Sequence, residues 1–258
     1  KCQEAGVKDI MEFMIGFDGI VIANAKSAAP LSLTRKQLYL ALAKEVPDPK
    51  GGEKLVANPY KKWSDIDPAL PDAAIEVLGP PPTSGTRDAF EELAIEGGCK
   101  TFSWLKAMKK VDKKKYKKVC RHIREDGLYV EAGENDNLIV SKLEANPKAV
   151  GVFGFSFLDQ NSDKIQGAKI DDVAPAFEAI SSGKYPVSRS LFFYVKKAHI
   201  GVIPGIKEFL AEWTREGTFG EDGYLIEKGL IPLSKAERDA AAKKADDLKI
   251  MTGEEKLS

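Results

Sequence analysis

Histidine and cysteine are scarce in this chain and net charge is nil, and each shortage removes a class of function. The two histidines are His122, in a lysine-rich stretch expected to be helical, and His199, just after an expected strand, and both read as structural rather than catalytic. The three cysteines, Cys2, Cys99 and Cys120, lack the close spacing of zinc or thioredoxin-like sites, so no metal centre is expected. Cys99 and Cys120 flank a lysine-rich helical hairpin and are the candidate disulfide in an oxidising compartment, which leaves Cys2 over. Lysine plus arginine and aspartate plus glutamate are both 39, so no overall field draws the chain to nucleic acid or to an anionic surface. No apolar run approaches the roughly 20 residues that span a bilayer, and the start, Lys1-Cys2-Gln3-Glu4-Ala5-Gly6, is not a signal peptide. Walker motifs, dinucleotide fingerprints, nucleophile elbows and internal repeats are also missing, so no cofactor is expected.

What the chain does have is bulk and alternation. Its 258 residues are 43% hydrophobic, enough for a real core and more than the roughly 100–150 residues usual for one domain. Residues 10–24 read as a long strand with a Gly-Asp-Gly interruption, and Thr34 as the N-cap of a short helix. A Pro/Gly-rich loop follows at 47–52, then a buried strand over 74–79 and a helix over 87–95. A basic helical stretch is expected over 105–124 as a solvated face, since almost no aromatics interleave its lysines for base stacking. Residues 129–137 read as a turn before a helix at 138–143, 149–157 as a buried strand, 188–195 as a last strand, and 204–214 as an amphipathic helix. A terminal helix follows Ser234, and the tail from Met251 reads as polar and frayed. Alternating strands and helices predict an α/β fold with parallel or mixed sheets flanked by helices.

The most informative stretch is Gly79-Pro80-Pro81-Pro82-Thr83-Ser84-Gly85-Thr86-Arg87-Asp88-Ala89-Phe90. It ends a strand and opens a helix, so that free backbone N–H groups, the positive end of the helix dipole, two hydroxyls and a guanidinium converge within one turn. That is a cradle for phosphate or a similar oxyanion. The same residues also make an ordinary cap and turn, and the tetrapeptide alone does not choose between the two.

Five further segments accompany it: Asp18-Gly19-Ile20-Val21, Trp63-Ser64-Asp65-Ile66, Gly133-Glu134-Asn135-Asp136, Gly151-Val152-Phe153-Gly154-Phe155 and Tyr185-Pro186-Val187-Ser188-Arg189. Together, and in this order, they resemble the phosphate-binding proteins of bacterial ABC phosphate transporters, in the type II periplasmic binding protein superfamily. The resemblance runs from near residue 7 to about residue 235. It implies two α/β lobes joined by two crossing strands, with the ligand cleft between them. Residues 1–23 and 190–258 would form the first lobe, and 24–189 the second.

By that resemblance Ser84, Gly85 and Thr86 are phosphate ligands and Arg87 is the arginine that often follows them. The family commonly carries another arginine four residues before the serine, where this chain has Pro80, which raises the importance of Arg87 and of Arg189 as an additional ligand. The family's first ligand loop, and with it the carboxylate that accepts a proton from phosphate and penalises sulfate, is expected to precede the start of this chain, and Asp88 and Asp18 are poor substitutes for that carboxylate. The implied function is a monomeric, exported periplasmic protein that captures inorganic phosphate, hands it to a membrane ABC permease, binds no nucleic acid and catalyses nothing. The alternatives are a binder of sulfate, phosphonate or another tetrahedral oxyanion, a phosphate-ester hydrolase with Ser84 or Thr86 as nucleophile, and a lobe that has lost its ligand and serves as a surface component.

Overall fold

The long apolar run near the start folds as β1 (Ile10–Ala25), and it shows how the chain is organised. In this computed structural model, which describes residues 4–133 and 136–252, the chain forms two compact units. A terminal unit takes the chain up to Asp18, Ile180–Ser182 and the chain from Arg189 onward, and a central unit takes Gly19–Ala179 and Gly183–Ser188. β1 passes from the first into the second.

β1 runs without the interruption expected around its glycines. Gly16 is instead a point of close approach: a Cβ there would sit 2.6 Å from the Ile231 carbonyl oxygen. This lets Phe17 exchange backbone hydrogen bonds with Ile231 at 2.8 and 3.2 Å.

In the central unit β1 is followed by β2 (Ser32–Leu33), α1 (Arg35–Leu42), β3 (Glu45–Pro47), β4 (Leu55–Ala57), α2 (Trp63–Ile66) and β5 (Val77–Gly79). Thr34 caps α1, as its sequence position predicts. Then come α3 (Gly85–Phe90), a π-helical turn (Glu91–Ile95) and α4 (Glu96–Cys99), one continuous helical run.

The basic stretch folds as the expected helical hairpin, with α5 (Ser103–Val111) and α6 (Lys113–Arg121) as its two arms. Asp112 breaks it by capping α6, accepting from the Lys115 amide at 2.9 Å, and His122 follows as the C-cap. Cys99 and Cys120 form a disulfide that ties this hairpin back to α4 with their Cα atoms 5.4 Å apart.

Residues 129–131, expected in a turn, form β6 (Tyr129–Glu131) because they pair with β5. The helix α7 (Asp136–Ala145) follows; Glu134 and Asn135 of the Gly-Glu-Asn-Asp segment lie outside the described residues, as do Cys2 and the tail from residue 253. β7 (Val150–Gly154) stops earlier than the apolar run, and Phe155 to Phe157 open α8 (Phe155–Gln160) instead. β8 (Ile165–Gly167), β9 (Lys169–Ile170) and α9 (Phe177–Ser181) lead to the end of this section of chain.

The sheet is mixed. β7 runs antiparallel to β1 with Ile20 opposite Gly154, and β5 lies between β7 and β6, parallel to both. Ile20, Val21, Ile22 and Ala23 are fully buried, so this end of β1 is covered on both faces. Val21, Leu78, Ile139, Leu143 and Phe153 form one core between the sheet and α7.

The terminal unit places β10 (Ser188–Lys196) beside β1, followed by α10 (Ile206–Trp213), α11 (Glu216–Phe219) and α12 (Lys235–Asp246). Phe193 stacks on Phe13 at 4.9 Å and meets the Trp213 ring at 5.5 Å. Ser234 caps α12.

Candidate functional site

β5 is the inner strand of the parallel part of the central sheet, and its carboxyl end delivers Gly79 to the Pro-rich turn. In open α/β sheets ligands bind outside the carboxyl ends of such strands. Gly79 is required there because a Cβ would collide with the Tyr129 hydroxyl. That hydroxyl donates to the Pro80 carbonyl at 3.0 Å, and burial pushes its pKa up to about 12 against the opposing pull of the Arg87 guanidinium, so it stays a donor at neutral pH.

Ser84 is the N-cap of α3, with its Oγ accepting from the Thr86 amide at 3.2 Å and its own amide donating to the Pro81 carbonyl at 3.0 Å. Gly85 is exposed, and nothing lies within 4 Å of where a Cβ would stand. Ser84 and Thr86 are half-buried beside it. The turn therefore presents the first residue of a helical run to open space, with a hydroxyl-bearing residue on either side.

Arg87 is placed differently from a free ligand. Only 6% exposed, it donates from Nε to Glu91 Oε1 at 2.6 Å and from Nη1 to the Pro80 carbonyl at 3.2 Å, and its guanidinium lies 4.4 Å from the centre of the Tyr129 ring. The side chain ties the start of α3 to the turn that precedes it. The Pro80 carbonyl accepts from both Arg87 and Tyr129, so the position where relatives were expected to carry arginine here supplies an anchor for the loop. Glu91, four residues beyond Arg87, is visible in the sequence as a helical ion-pair partner. Tyr129 is visible only once β6 is paired.

Arg189 belongs to the terminal unit, where its Nη2 and Nε lie 3.1 and 3.2 Å from Asp18 Oδ2, both side chains being partly exposed. The four residues Ser84 to Arg87 are thus brought together on one turn, while Arg189 has a carboxylate partner of its own.

The profile of a family described as a PBP superfamily domain matches residues 1–216. The chain belongs to the PBP superfamily. This PBP superfamily chain is 30% identical over 229 residues to the phosphate-binding protein PstS of Staphylococcus haemolyticus, an alignment that takes in 84% of the chain and 59% of that protein. The PstS of Staphylococcus epidermidis is likewise 30% identical, over 87% of the chain and 58% of the relative. The chain therefore spans about three fifths of the length of these curated relatives. Its fold is similar to that of a possible phosphate binding protein from Planctomyces limnophilus, with a TM-score of 0.68 and 24% identity over 96% of this chain and 75% of that one.

Hydrolytic chemistry finds little support in the PBP superfamily chain's own turn. Among the described residues no histidine or carboxylate accepts a hydrogen bond from the Ser84 hydroxyl, which a nucleophile needs for activation. His122 Nε2 lies 3.4 Å from Glu125 instead.

Proposed function

We propose that this protein is an extracytoplasmic solute-binding protein that captures inorganic phosphate at the Ser84–Arg87 turn and delivers it to an ABC permease, without chemistry of its own. The single observation that carries the reading is the open helix start at Gly85, at the carboxyl end of a parallel strand and flanked by Ser84 and Thr86. The names of the PstS relatives supply the anion, and fixed amides and hydroxyls suit it because a dehydrated oxyanion gains most from dipoles already aimed at it. Ser84, Gly85 and Thr86 contact the anion in this reading. Arg87 holds the turn in place and adds positive potential beneath it, while Arg189 stays paired with Asp18.

Calorimetric titration with phosphate, and with sulfate as control, tests the reading. Saturable phosphate heat is expected in the native protein and none in Gly85→Val, whose Cβ stands in open space and whose two methyl groups extend into it. Thermal unfolding of that variant should stay within about 1 kcal/mol of the parent, the range of surface changes in helices. Equal phosphate heat in both proteins would remove the turn from the site, and a larger response to sulfate would change the anion.

A further inference from the structure

The neutral overall balance conceals a strong segregation of charge. Between Lys100 and Arg121 stand ten lysines and arginines and a single acid, Asp112, which leaves 29 basic against 38 acidic residues elsewhere in the chain. The structure folds this segment into the α5–α6 hairpin and fixes its base. Glu96, 1% exposed, accepts from Tyr116 Oη at 3.1 Å and Arg121 Nε at 2.5 Å and pairs with Lys100 and Lys109 at 2.9 and 3.2 Å. The Cys99–Cys120 disulfide closes the same base covalently.

The outer part is unbalanced. Lys106, Lys110, Lys113–Lys115, Lys117 and Lys118 are all exposed, and none has a carboxylate within ion-pair distance among the described residues. At the tip, where α5 gives way to α6, Val111 is 88% exposed with Lys109 and Lys110 before it and three lysines after Asp112.

We infer that this hairpin docks the protein on an anionic bilayer surface. Its lysines engage lipid headgroups, Val111 enters the interface, and the acidic remainder of the chain is repelled, which fixes which face of the central unit meets the membrane. Charge complementarity and the apolar tip carry the choice of partner. A single-stranded nucleic acid would need an aromatic platform, but Tyr116 is fully buried and no exposed aromatic stands among the lysines. The docking is independent of which solute the Ser84 turn binds.

Sedimentation of the whole protein with vesicles of phosphatidylcholine alone, or with roughly a third phosphatidylglycerol, reads the docking directly. Binding is expected only to the anionic vesicles, with release as salt rises from about 0.1 to about 0.5 M. The combined variant Lys110→Glu, Lys113→Glu, Lys114→Glu should lower partitioning at least about tenfold, whereas the same reversals at exposed Lys207, Lys228 and Lys249 should change it less than about twofold. Val111→Ser, which removes the apolar tip without changing charge, should weaken binding without altering its salt dependence. Equal binding by the two triple variants would overturn the inference. So would a protein that ignores anionic vesicles, or one that ignores them yet binds an oligonucleotide, the latter making the hairpin a soluble-polyanion surface instead.

Discussion

Three of the described helices begin at a hydroxyl residue, and they begin in two ways. At Thr34 the side chain of Gln37 reaches back to the cap amide at 2.8 Å, and at Ser234 Glu237 does so at 2.9 Å, so each start is closed by an acceptor three residues on. At Ser84 the residue three on is Arg87, which cannot accept, and the cap amide is satisfied from behind by the Pro81 carbonyl. That start therefore lacks the side-chain acceptor that closes the other two, and Gly85 leaves the space beside it open. Two starts are closed by their own side chains, and the third, the proposed anion site, is left open.

The sharpest way to break that contrast is to give the open start its own anion. Gly85→Asp places a carboxylate at the first helical position, where the dipole favours it by about 0.3–1 kcal/mol. Stability should therefore hold or rise slightly in thermal unfolding while phosphate affinity, measured by calorimetry, falls at least about 100-fold, or roughly 2.7 kcal/mol. A loss of both together would mean that the residue serves the fold rather than a ligand. Next in size is Ser84→Ala, which removes a cap worth about 1 kcal/mol and a hydroxyl at the proposed anion site, and should lower phosphate affinity about tenfold. The matched change Ser234→Ala should cost about 1 kcal/mol of stability as well, with phosphate affinity unaltered. If both serine variants bind phosphate like the parent, the two starts are equivalent and the contrast carries no function.

The sequence announces these caps because capping is local chemistry: Thr34 and Ser234 each precede a helical run and fold as N-caps. β1 and β5 are legible for the related reason that each contains a short run of apolar residues, Ile20, Val21, Ile22 and Ala23 in β1 and Val77 and Leu78 in β5. What stays hidden depends on partners distant in sequence. The three residues of β6 become a strand only by lying beside β5, and with them Tyr129 reaches Pro80 and Arg87. The burial and pairing of Arg87 are hidden for that reason too, although Glu91 at helical spacing points to half of it. The turn of the basic hairpin at Asp112 is local and readable too, since an aspartate inside a lysine run is a better cap than a helix interior. Phe155 to Phe157 belong to the opposite kind of case, where an apolar run fits strand and helix equally and only the packing decides.

The smallest effect sharpens the comparison from the other side. Glu237→Ala opens the Ser234 start by removing the acceptor that reaches its cap amide, at a cost of about 0.5 kcal/mol in thermal unfolding. If an unclosed helix start were sufficient for an oxyanion, this variant would acquire phosphate heat that it retains when Gly85→Asp is added. We expect the double variant to give none. Ser234 is followed by Lys235 and Ala236 rather than by a glycine and a second hydroxyl, and no parallel strand ends at it. Phosphate heat from the double variant would show that the ligand follows the missing acceptor alone, and that the strand end and the flanking hydroxyls at Ser84 contribute nothing.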